Sequence, residues 1–279
     1  MYKSDYHIHI ENLCGAGWKT PDPLPELLLS MKNQNMDSFG TSDHVNYHSW
    51  TAFLNKSKQR FERYKTDFFH FGMELTTISA YEEAYDRRYG SLDGYVHPGG
   101  DRPDDIALPL YREEIINCGV EYVIGAAHFP LNTPKILSSM INEFYRQQIY
   151  LARDKRIDII GHPWGLLETY SNSNGNKIKF DNMESIPRSM QNELSAAIKE
   201  NNKFVELNIT KVFARTDCPE RFKYQYMDYI REMFEAGVPV TIGSDVHGVN
   251  GYPDYHSLME PYLLAAGFKA SDFSSPNFR

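Results

Sequence analysis

Short runs dense in β-branched and aromatic residues recur along the chain, and amphipathic stretches separate most of them. The pattern predicts strands at Tyr6–Ile10, Ser38–Ser42, Phe68–Leu75, Glu121–Ala127, Ile157–Gly161, Phe204–Asn208 and Val238–Gly243. Helical periodicity falls at Pro23–Asn35, Phe53–Thr66, Leu110–Cys118, Ile136–Lys155, Ile186–Asn201, Pro219–Ala236 and Asp254–Ala266. Alternation of this kind argues for parallel strands joined by helical crossovers. The expected class is therefore α/β. Seven strand–helix units suit a closed or nearly closed TIM-like barrel better than an open sheet. No internal repeat or long linker interrupts the pattern, so residues 1–279 are expected to form one domain.

Two segments break the rhythm. Residues 78–108, with GSLDGYVHPGGDRPDD, follow the third predicted strand, and residues 168–185, ETYSNSNGNKIKFDNMES, follow the fifth. Both are rich in Gly, Asn, Ser and Asp and are expected to be loops. Long loops in a compact domain are often lids, and those after parallel barrel strands lie at the active-site end. His97 and Arg102, with Arg87 and Arg88, are the polar groups that the first segment would bring over a substrate.

Composition narrows the class. The 279 residues are 41% hydrophobic, enough for one large core, and carry a net charge of −8. No lysine- or arginine-rich block occurs, which argues against broad binding to nucleic acid or a membrane surface. A small phosphorylated substrate needs only one or two local cations and stays open. The three cysteines, Cys14, Cys118 and Cys218, are far apart and suggest neither a disulfide framework nor a metal knuckle. The N-terminus lacks the apolar region of a signal peptide, and no run of about 18 apolar residues occurs. A reducing, cytoplasmic location is expected.

The candidate chemistry lies at the strand ends. His7 and His9 end the first predicted strand; His44 follows the second; Glu74 lies in the third; His128 and His162 end the fourth and fifth; Asp245 and His247 follow the seventh. Side chains two apart on a strand share a face, so His7 pairs with His9 and Asp245 with His247. An isolated HxH is usually incidental. A constellation in which six of seven strands end in an imidazole or a carboxylate is harder to explain without metal, because barrel strand ends converge on one rim. Such donors suit Zn, Mn or Fe, and a carboxylate can bridge two ions. His48 and His70 are expected to be surface or core residues, and His256 a polar residue opening a predicted helix.

The ordered motifs DYHIH, TSDH, GMEL, GAAHF, GHPW and GSDVH, from Asp5 to His247, resemble the PHP family, named for its polymerase and histidinol phosphatase members. The likeness is greatest to the stand-alone histidinol-phosphatase branch. It implies a distorted (β/α)7 barrel carrying two to three divalent metals on its C-terminal rim. The resemblance would place the first metal on His7, His9, Glu74 and Asp245. The second would take Glu74 as a bridge, with His128 and His162. The third would take His44, His247 and a histidine from the loop after the first strand. Relatives commonly read LCGH there; this chain reads LCGA, and the matching position is Ala16. Glu11 is the nearest alternative donor. The family's Glu-x-Asn pattern after the sixth strand occurs here in VELNITKVFAR, with Glu206, Asn208 and a displaced Arg215. Asn208 would face the barrel mouth, and Arg215 would be free to fork onto a phosphate.

These features lead to the expectation of a hydrolase that cleaves a small, histidinol-phosphate-like phosphomonoester with a metal-activated water. The same metals on the same barrel would also suit a phosphodiester, an amide or a lactone, and a binding protein with a vestigial site is the non-enzymatic alternative. His44 and His247 could bind the phosphate or donate protons if the third metal position is weak, and Asp43 would orient His44 from behind. Ala16→His should then raise the number of tightly held metals above two. Metal stoichiometry at fixed free metal, before and after the substitution, checks this; three full-occupancy metals in the unsubstituted protein would refute it.

Overall fold

A computed structural model of the protein describes residues 3–11, 22–90, 105–165, 170–172, 174–248, 252, 254–276 and 278. Strands β1 (Ser4–Ile8), β2 (Ser38–Thr41), β4 (Phe69–Thr76), β7 (Tyr122–Ala126), β8 (Ile159–Ile160), β9 (Phe204–Asn208) and β10 (Val240–Gly243) form one sheet in that order. Every neighbouring pair is parallel. The short strand β3 (His44–Val45) continues the path of β2 and pairs with Glu74–Leu75 of β4. The sheet curls into a nearly closed barrel of the expected (β/α)7, TIM-like class. At the seam Ile8 bridges Val246, His9 N donates to Val246 O, and Asp245 N donates to His7 O. The buried Asp5 carboxylate ties the same seam from inside the fold by accepting from His7 N, Ser244 N and the Tyr252 hydroxyl.

Helices cover the barrel, and the longest bury one face each. In α5 (Leu137–Arg153) the buried positions include Met140, Ile141, Phe144, Gln148 and Leu151, the three-and-four spacing of one helix face. In α7 (Glu220–Glu235) they include Phe222, Tyr226, Ile230 and Met233. Five further helices, α1 (Leu24–Asn33), α2 (Thr51–Tyr64), α4 (Arg112–Cys118), α6 (Arg188–Glu200) and α8 (Tyr255–Ala265), lie within a few residues of their expected places. Among the described residues no helix is long and apolar enough to cross a membrane.

The expected loop over residues 78–108 is corrected by the structure. Ser79 caps a helix, α3 (Ala80–Tyr89), through a reciprocal box with Glu82, and β5 (Ile78–Ser79) pairs antiparallel with β6 (Ile106–Ala107). Arg87 does not face a substrate mouth: it forks onto Glu114 and stacks on Tyr111, fastening α3 to α4. Residues 91–104, which include His97 and Arg102, lie outside the described residues, as does Ala16.

The first strand carries an irregularity that positions the site. Its register against β2 shifts between Asp5 and Ile8. Such a bulge re-aims side chains locally. Tyr6 packs against Tyr122, Ile124, Ile159 and Phe204 in a lower interior layer, while His7 reaches Glu74 above it. Tyr122 lies flat over the backbones of Gly40 and Gly72, and its hydroxyl lies 2.7 Å from Tyr6 O and 3.1 Å from Thr41 O. A methyl group on Gly72 would press into the Tyr122 ring. Gly72→Ala should therefore destabilise the protein by about 1–3 kcal/mol, the usual cost of overpacking a filled core. Urea unfolding measures it, and an unchanged midpoint would refute this account of the lower layer.

Candidate metal centre

Glu74 sits fully buried on β4 and is the hub of the site. Its Oε1 lies 3.1 Å from His162 Nε2, 3.3 Å from His128 Nε2 and 3.3 Å from His7 Nε2. Its Oε2 lies 2.5 Å from His44 Nδ1 and 3.7 Å from His9 Nε2. Asp245 closes the far side, with Oδ1 3.3 Å from His9 Nε2. His247 Nε2 approaches His44 Nε2 at 3.1 Å. All eight residues expected to hold metal thus converge at the C-terminal rim of the barrel. Three groups have ligand atoms within 4.8 Å of one another: His7, His9 and Asp245; His44, Glu74 and His128; and His9, His44 and His247. These groups overlap: His44 lies with Glu74 and His128 as well as with His247, and His9 lies with His44 and His247 as well as with His7 and Asp245.

Neighbouring side chains set which ring nitrogen faces inward. His7 Nδ1 lies 2.6 Å from the Glu206 carboxylate, which can only accept, so the proton is at Nδ1 and Nε2 points at Glu74. The Thr76 hydroxyl donates to Asn46 Oδ1 and is left to accept from His128 Nδ1 at 2.7 Å. His247 Nδ1 faces the Asp245 carbonyl at 3.1 Å. Outer hydrogen bonds of this kind fix tautomer and orientation in metal-ligating histidines. The resulting His247 Nε2 lone pair faces His44 Nε2, an approach that requires a proton or a cation between the rings.

The donor set therefore fits divalent metal. Glu74 Oε2 and Asp245 Oδ1 are buried carboxylate oxygens that face imidazole nitrogens, 2.5 Å from His44 Nδ1 and 3.3 Å from His9 Nε2, and His7 Nε2 is buried without a hydrogen bond. Such atoms are costly unless a cation satisfies them. Burial and the adjacent imidazole of His44 hold His9 well below the usual imidazole range. Burial pushes His128 down to about 4, against the pull of Glu74. Both are neutral near pH 7, the form that metals bind. Burial would raise the Glu74 carboxyl, but His128, His7 and His44 outweigh it and hold the group well below the carboxylate range. Asp245 is likewise held low against burial, by Lys211, His7 and His9.

Several residues near the rim have partners of their own in this structure. Asp43 does not hold the His44 ring: its carboxylate accepts from Ile10 N, Glu11 N and the Ser57 hydroxyl, and so anchors the chain leaving β1. Glu11 pairs with Arg60. Asn208, expected to face substrate, is buried: its amide donates to Glu206 and to Asp245 Oδ2, and its oxygen caps Lys211 N. Arg215 forks onto Asp217 through Nε and Nη2. His48 pairs with Glu114, and His70 stacks on Phe278 and bonds Glu121, both away from the cluster. Sequence reasoning left three contributors without a role: Glu206, Thr76 and Lys211, whose Nζ lies 3.0 Å from Asp245 Oδ2. Glu206 stood in a noted Glu-x-Asn pattern; Thr76 and Lys211 carried no signal in one sequence.

No protein-family model matches this sequence, and no curated protein sequence does. Solved structures do. Histidinol phosphate phosphatase (HisK) from Lactococcus lactis subsp. lactis, solved with zinc, L-histidinol and phosphate, aligns over 96% of this chain and 95% of its own at 14% identity and a TM-score of 0.61. A chain of archaeal ribonuclease P with mature tRNA covers 97% of this chain and 86% of its own at 11% identity and 0.49. Ochratoxinase of A. niger covers 97% and 68% at 11% identity and 0.40. Of these three scores the first exceeds 0.5, and at 14% identity that likeness is one of fold.

Glu74 generates the sharpest expectation. It touches imidazoles from every side, so Glu74→Gln should lower metal affinity more than about tenfold while the barrel stays folded. Elemental analysis of purified protein beside a circular dichroism melt measures both; unchanged metal content would refute the role of hub.

Proposed function

We propose that this chain is a PHP-type, metal-dependent phosphatase acting on a small, histidinol-phosphate-like phosphomonoester. The observation that carries the reading is the convergence of His7, His9, His44, His128, His162, His247 and Asp245 around the buried Glu74 at the barrel mouth. The fold it shares with a phosphatase solved with zinc and phosphate supports it. In this reading His7, His9 and Asp245 hold one ion, Glu74, His128 and His162 a second with His44 beside them, and His9, His44 and His247 flank a third position. Bound divalent ions of this class lower the pKa of a water towards ~7 and offset phosphoryl charge.

The protein's own groups do the rest. Glu206 and Thr76 keep His7 and His128 presenting Nε2 inward. Asn208 steadies Asp245. His44 and His247 face the mouth, where their ring nitrogens can meet a phosphoryl oxygen or donate a proton to the leaving group. The alternative is hydrolysis of a phosphodiester, amide or lactone on the same residues, favoured to the extent that Ala16 weakens the third position.

The test is turnover by protein loaded with Zn, Mn or Fe(II) against phosphomonoesters, including histidinol phosphate, beside phosphodiesters, amides and lactones. Turnover of phosphomonoesters, abolished by chelation and restored by metal, is expected. Turnover confined to the other bonds would select the alternative. None at all from stoichiometrically loaded protein would leave a vestigial site.

A further inference from the structure

Lys211 is the cation nearest the candidate ligands among the described ion pairs, and its surroundings fix where it points. It sits in a single wide π-helical turn, Ile209–Phe213, directly after β9. Turns of this kind recur at functional sites because they redirect one side chain. Here the turn is stitched to the end of β10: Thr210 N donates to Ser244 O and the Thr210 hydroxyl to Asp245 O. Asn208 caps it through Lys211 N. On the other side Gly165, in the loop after His162, abuts the lysine; a side chain there would lie 3.2 Å from Lys211 Cβ. The ammonium thus lies at the mouth between the ends of β8, β9 and β10. Its side chain is 24% exposed, whereas its partner Asp245 is 2% exposed.

In this structure Lys211 neutralises Asp245 Oδ2. With Asp245 engaged in metal ligation, the carboxylate's charge would be taken up and the ammonium would face a more positive centre. A partly buried lysine without a counter-ion is unfavourable, and its four-carbon stem lets it swing to another anion. An anion held over the histidines would lie within the same mouth. Arg215, the earlier candidate for this part, already pairs in a fork with Asp217.

We propose that Lys211 is the substrate-binding cation of this site, exchanging Asp245 for an oxyanion of the substrate's phosphoryl group. This rests on the phosphatase reading above. It names a point charge, not an arginine fork, as the selector for an anionic ester.

The experiment is calorimetric titration of metal-loaded protein with inorganic phosphate, using wild type, Lys211→Met, Lys211→Gln and Lys211→Arg, with elemental analysis of each. Methionine keeps the stem without charge, and glutamine keeps a hydrogen bond to Asp245 without charge. Both should bind phosphate about tenfold or more weakly at unchanged metal content, the scale of a charge-assisted hydrogen bond. Their KM for a phosphomonoester should rise more than kcat falls, and Lys211→Arg should recover much of the binding. Wild-type phosphate affinity in Lys211→Met overturns the proposal. So does loss of metal together with phosphate, which would make Lys211 a support for Asp245, and so does a comparable loss in Arg215→Met with Lys211→Met unaffected. A wild type that holds metal but neither binds phosphate nor turns over phosphomonoesters overturns the phosphatase reading itself.

Discussion

A carboxylate with no access to water organises the mouth of this barrel. Glu74 is buried on β4, and an ionised carboxylate in that position is tolerable only if cations or strong donors surround it. His7, His9, His44, His128 and His162 supply that surround from four other strand ends. The parallel barrel makes this possible, because its strands all finish on the same rim and turn their alternate side chains inward. The Tyr6–Tyr122 layer below fills the interior, so these polar groups stand on a packed floor and not over a channel.

Holding so many donors in one place strains the backbone. His162 and Asp245 both have positive φ, 27° and 56°, values that side-chain-bearing residues seldom adopt. Conformations of this kind cost of order 1–3 kcal/mol each and persist where surrounding bonds over-determine them. Those bonds are present: His162 N donates to Glu206 Oε2, and Asp245 N donates to His7 O. Glu206 therefore serves twice, orienting the His7 ring and the backbone at His162. Gly243 makes room for it, since a side chain there would fall on the Glu206 carboxylate and 2.7 Å from His7 Cβ.

The outer network gives the cluster its chemical character. Histidines are ambiguous ligands until something fixes their tautomer. Glu206, Thr76 and the Asp245 carbonyl do this for His7, His128 and His247. The residues in this second layer are hydrogen-bonded to one another: Asn208 links Glu206 to Asp245 and also caps the turn that aims Lys211. The geometry of the mouth is thus passed from strand to strand by side-chain hydrogen bonds.

The sequence by itself pointed to the barrel and to the eight residues that meet at its mouth. Strand–helix alternation and histidines or carboxylates at successive strand ends are local patterns, and local patterns survive in one dimension. The helix at Ala80–Tyr89 was also legible, in the Ser79–Glu82 capping box, but a Gly- and Asp-rich neighbour masked it. What only the tertiary structure decided was contact between residues far apart in the chain. Glu206 meets His7 across 199 positions, and Lys211, in its π-helical turn, meets Asp245. Asp43 and Asn208 were legible as polar groups near the rim, but not in the parts they play, because hydrogen-bond partners are set by where strands end in space. The register shift in β1 is of the same kind: it places both Tyr6 and His7 inside the barrel, which strict alternation along a strand forbids.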